Sequence, residues 1–218
     1  EGEDIPPSAQ TFFTNSSLGI AMFMAMMFVM RFGFGGFSLE GQQWWILKIS
    51  PVKPSHLVLA KYTVALLPPS LFGVLYLLVA SFFREITPPL LLYQIVAELI
   101  VVAGLAALTL SFGIWGARFN WTNPNQVSGG AVGCVGSLLT FGFIFLMGAV
   151  FFGLPILAES FDLSSFVGYG GALVVGALLS GVGGGLPLVI AASRIPRLGD
   201  AEMEGTKASK KKARKGKP

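Results

Sequence analysis

The chain has 218 residues, of which 53% are hydrophobic and only 12% charged, and its mean hydropathy is +0.71. Soluble domains carry about 25% charged residues, so this balance excludes an ordinary water-soluble domain and points to a chain embedded in lipid. A single cysteine, Cys134, excludes an internal disulfide framework and a cysteine-built metal centre, and the formal charge of +4 is uneven, with nine of the fifteen Lys and Arg beyond Ser193.

Residues 1–16 open with the acidic run EGEDIPP and read as an extracytoplasmic N-terminal segment. Five apolar blocks follow, from Leu18 to Phe37, Leu57 to Phe83, Leu90 to Trp115, Val127 to Gly153 and Phe166 to Ala192. About 20 residues of helix cross a hydrocarbon layer of roughly 30 Å, and every block meets that length. Lipid offers no partner for backbone polar groups, and the blocks are continuous rather than alternating, so helices are expected and a barrel is not. The expected fold is all-α: a polytopic membrane bundle over 17–198 with about five crossings. The predicted setting is the cell membrane.

Between the first two blocks lies FSLEGQQWWILKISPVKPSHLVLAK, residues 37–61. Trp44, Trp45, Ile46 and Ile49 give it an apolar face, and Glu40, Gln42, Gln43 and Lys48 a polar one. Tryptophan favours the membrane–water interface, and Pro51 and Pro54 end a helix and turn the chain. The pattern predicts a short helix lying flat on the cytoplasmic face, with Ser38 and Ser55 as caps and Lys61 reaching back to the interface. Its bland reading is a passive anchor; its sharper one is a docking element.

Within the second block Pro68 and Pro69 remove two amide donors, which makes a kink or a hinge. In the third, Glu98 sits near mid-depth, where a charge costs about 2.5–3.5 kcal/mol on insertion scales, and Gln94 stands one turn before it as an expected hydrogen-bond partner. Glu98 and Gln94 are either a polar element of a conduit or a neutral acid tied to a neighbouring helix. Cys134 reads as a small buried residue. The pairs Gly129–Gly133 and Gly181–Gly185 match the small-xxx-small pattern of close helix contacts. Asn15-Ser16-Ser17 and Asn120-Trp121-Thr122 fit glycosylation acceptor triplets. Residues 199–218, with the run KASKKKARKGKP, read as a disordered basic cytoplasmic tail near anionic headgroups. Without aromatic residues to stack on bases, it is not expected to bind nucleic acid.

With that tail placed inside, the basic residues gather on one side: Lys48, Lys53 and Arg118 inside, Arg84 alone outside, as the positive-inside rule asks. No catalytic set emerges. His56 is the one histidine, no cluster of metal ligands is apparent, and no G-x-x-x-x-G-K-[ST] run is present. No cofactor is expected.

The stretch 38–61 resembles the cytoplasmic loop of permease subunits of type-2 ATP-binding cassette exporters, through Glu40, Gly41, Trp44 or Trp45, Pro51 and Lys61. The segment GARFNWTNPNQ, with Phe119, Trp121 and Pro124, is a second point of likeness. The resemblance spans nearly 17–198. It implies a permease that is not itself an enzyme and couples export to ATP hydrolysis on a separate ATPase subunit. The coupling helix, with Glu40, Gly41, Trp44, Trp45, Lys48 and Pro51, would be the docking site. It also implies a second permease half or a homodimer, a partly re-entrant segment over 154–168, and six helices. Five crossings and a start at Glu1 lead to the expectation that one upstream helix is missing. A passive channel, a secondary transporter and a non-transport scaffold are the alternatives; their spans would differ mainly in polar lining.

Overall fold

The computed structural model describes residues 7–38, 40, 46, 53–117 and 131–195. Those residues form helices and the turns between them: α1 (Pro7–Gly35), α2 (Pro54–Arg84), α3 (Pro88–Trp115), α4 (Ala131–Ser160), α5 (Ser165–Ser180), a π-helical turn (Gly181–Gly185) and α6 (Leu186–Ala192). Counting α5 to α6 as one span, five helices are long and apolar enough to cross a membrane. The all-α, five-span architecture is therefore as expected.

The helix starts follow from proline. Pro54 stands at the first position of α2 and Pro88 at that of α3, where a missing amide costs no hydrogen bond. Lys53, not Ser55, is the N-cap of α2, and it makes no side-chain cap. At the other end of α2, Glu85 takes the left-handed conformation with φ 51°, and its amide donates to the Ser81 carbonyl, closing the helix. α1 starts at Pro7, well before the first apolar residue of its block.

α3 is the centre. Some 72% of its apolar window is buried, against 17% for the last span. Each surrounding helix is tied to it by packing and by a hydroxyl group. Tyr62 of α2 donates to the Ala103 carbonyl (3.2 Å), Tyr93 of α3 to the Phe151 carbonyl of α4 (2.7 Å), and Ser180 of α5 to the Ile100 carbonyl (2.9 Å). One core runs through Met22, Met26, Val101, Leu105, Met147 and Phe151. A second, at the end of the bundle where α2 begins, joins Phe37, Val58, Leu110, Ile114, Ala191 and Ile195. α2, α4 and α5 turn Leu71, Phe82, Leu138, Phe145, Phe166 and Val174 outward. Helices this apolar on their outer faces suit lipid rather than water.

Two details differ from the sequence expectation. Cys134 is exposed on α4 instead of buried. Residues 154–168 form no separate re-entrant element: α4 continues through Pro155 to Ser160, a turn carries Asp162 at φ 53°, and α5 starts at Ser165. Pro155 lies inside α4 where that helix packs closely against Gly168 of α5.

Candidate functional site

Polar groups concentrate in the part of the bundle where α1, α2 and α3 meet, toward the α2–α3 turn. Glu98 lies ten residues into α3, about 15 Å along it at 1.5 Å per residue. It is fully buried, and neither carboxyl oxygen has a hydrogen-bond partner among the described residues. Gln94, one turn earlier and also fully buried, does not bond to it. Its side-chain carbonyl accepts instead from the Ser17 hydroxyl of α1 at 3.2 Å, because α1 and α3 run side by side and bring Ser17 level with Gln94.

What faces Glu98 is Gly73 of α2. A β-carbon at that position would collide with Oε1 of the carboxyl. Glycine thus lets α2 close over the acid, the use small residues have in helix contacts within lipid. Pro68 and Pro69 lie on α2 five and four residues before Gly73, inside a continuous helix, with Pro69 buried. They leave the carbonyls of Val64 and Ala65 without their usual donors, and the Ser70 hydroxyl donates to the neighbouring Leu66 carbonyl at 2.8 Å.

Nearer the turn, Arg84 donates to the Ser16 hydroxyl at 2.6 Å. Asn15 is buried, with both polar side-chain atoms unpartnered among the described residues. An asparagine enclosed within α1 is closed to a glycosylating enzyme, so that triplet is no acceptor in this fold. The triplet at Asn120 lies outside the described residues.

At the opposite end, Glu40 and Lys61 form an ion pair, both partly buried. Lys61 therefore turns to Glu40 rather than reaching along the interface. The structure brings together the first and last residues of the loop pattern, 21 positions apart. Gly41, Trp44, Trp45, Lys48 and Pro51 lie outside the described residues, as do Phe119, Trp121 and Pro124.

The glycine cluster in the last span is a π-helical turn, a geometry found in short pieces and often at functional positions. The contact residues are not the predicted Gly181 and Gly185, around which nothing lies within 4 Å of an added β-carbon. They are Gly183, set against Phe143, and Gly184, whose α-carbon meets the Gly104 backbone of α3 so closely that a β-carbon would collide with its carbonyl. Sequence reading missed Gly73 and Ser17 as contact residues. Each is a small residue in an apolar run, and only its placement against α3 sets it apart.

One family model, described as "Putative ATP-binding cassette", matches residues 4–191. No curated protein and no solved structure matches the chain.

The match overturns the recognition of the chain as the permease subunit of a type-2 exporter, together with the function drawn from it. It equally overturns the reading of the chain as no enzyme, with hydrolysis left to a separate subunit. The family description is that of an ATP-binding cassette and not of a permease. The physical reason for the error is plain in the residues. The loop pattern at 40–61 reports a charged connection between two spans, fastened by Glu40 and Lys61, and such a connection does not reveal where ATP acts. The missing G-x-x-x-x-G-K-[ST] run excludes one form of phosphate loop and says nothing of other ways to bind a nucleotide.

Proposed function

Because the chain belongs to the family described as "Putative ATP-binding cassette", we propose that it is a membrane-embedded component of an ATP-binding-cassette transporter whose helix bundle repacks with the nucleotide state. The observation that carries this reading is the extent of the match: residues 4–191 take in all five apolar spans, so the membrane bundle itself belongs to the cassette family.

The α2–α3 seam supports repacking. Gly73 and Glu98 meet there without a hydrogen bond, and Pro68 and Pro69 weaken the internal bonding of α2 close by. α2 bends at this proline pair as the seam opens and closes. Residues 38–56, with Glu40, Gly41, Trp44, Trp45, Lys48 and Pro51, form the contact with other subunits of the transporter. Their mixture of tryptophans and charged residues suits a surface that is part lipid and part protein, and Glu40 is paired with Lys61 of α2.

Amide hydrogen exchange on the transporter in lipid discs tests the reading. With ATP and magnesium, protection across residues 64–77 of α2 is expected to change relative to the nucleotide-free state. Unchanged exchange in all five spans, in a preparation that hydrolyses ATP, would refute it.

A further inference from the structure

We propose that Glu98 is a monovalent-cation site within the bundle, closed by Gly73 of α2 and reached from the α2–α3 turn. The proposal does not rest on the nucleotide reading.

Other buried hydroxyl groups of the bundle have found acceptors. Thr109, Ser111, Thr140 and Ser180 donate to backbone carbonyls at 2.6 to 2.9 Å, and Tyr93 does so at 2.7 Å. Glu98 is the one charged residue type that is fully buried among the described residues, and both its oxygens stand without a partner. A carboxyl group offers about four acceptor directions, and an ionised one at this depth demands compensation. No cationic side chain supplies it. The titratable groups on the helices around α3 are Arg31 on α1; His56, Lys61, Tyr62, Tyr76 and Arg84 on α2; Cys134 and Glu159 on α4; and Tyr169 on α5. Glu98 makes a hydrogen bond to none of them, and Lys61 and Arg84 are engaged with Glu40 and Ser16.

Buried polar residues lie on the same side of the bundle as the acid. Asn15, then Ser17 with Gln94, step down from the Arg84–Ser16 contact toward Glu98. In the packing seen here Gly73 abuts Oε1 and leaves no space for a coordinated metal ion. A sodium-sized ion therefore enters only when α2 moves off α3, whereas a hydrogen ion binds in either packing. Both sources share one chemistry, a single positive charge on the carboxyl oxygens.

The test is labelling with dicyclohexylcarbodiimide in membranes holding the full chain. The carboxylic O–H adds across one C=N bond, and the O-acylisourea formed rearranges to a stable N-acylurea, which mass spectrometry locates on the Glu98 peptide. Glu98→Gln gives the blank. Labelling of Glu98 that is lost when sodium replaces choline at fixed pH identifies the sodium-sized ion. Labelling indifferent to sodium that persists well above the ordinary glutamate range of about 4.3, and is lost only at higher pH, identifies the hydrogen ion, whereas loss already in that ordinary range overturns the proposal. Absence of label on Glu98 under every condition, or a rate that neither sodium nor pH alters, overturns the proposal. The wild-type chain carries the decision, so a folding defect in the variant does not blunt it.

Discussion

At the scale of single residues, the closest contact of the functional region is that of Gly73 with Glu98. Gly73→Val forces a branched side chain against the carboxyl and is expected to destabilise the protein by about 1–3 kcal/mol, as overpacking does. Combined with Glu98→Ala, the loss should be less than the sum of the two single changes, with a coupling of about 0.5–3 kcal/mol. Denaturant titration in detergent, followed by tryptophan fluorescence, reads both. Additive losses would mean that the two residues do not meet. The Glu40–Lys61 pair gives a second prediction: Glu40→Lys and Lys61→Glu each speed proteolysis between α1 and α2, and the double exchange restores the wild-type rate. Glu98 and Gln94 were legible in the sequence as intramembrane polar residues, because charge and amide stand out in an apolar block. Their partners were not. Spacing of four residues suggested that they bond to each other, but Gln94 accepts from Ser17 of another helix, and Glu98 has no hydrogen-bond partner among the described residues.

At the scale of elements, hydropathy located each helix. The ends were less legible. α1 extends to Pro7 and α4 to Ser160, since a helix does not stop where hydrophobicity falls if its backbone bonds can continue. The π turn was illegible, because in residues 181–185 only the exposed Val182 carries a side chain, and the four glycines do not show which of them turns inward. It yields a contrast: Gly184→Leu should cost far more stability than Gly185→Leu, given that one faces the Gly104 backbone and the other faces open space. Thermal unfolding of the two variants in the same detergent measures the difference, and equal midpoints would contradict the close α3 contact.

At the scale of the whole molecule, the sequence conveyed a five-span bundle, and the pattern of apolar blocks carried that conclusion. It did not convey where the chain stands in the ATP-driven cycle. The loop pattern from Glu40 to Lys61 records topology, and the same loop serves any chain that must join two spans with a charged interfacial segment. The match over residues 4–191 gives the family, described as a putative ATP-binding cassette. The central claim is that this bundle repacks with nucleotide. Its most direct test is the distance between a spin label on the native, exposed Cys134 of α4 and one on Leu71→Cys, an outward position of α2. In the assembled transporter the account predicts that the distance distribution shifts when ATP and magnesium are added and returns once the nucleotide is removed. Identical distributions with and without nucleotide, in a preparation that hydrolyses ATP, would contradict it.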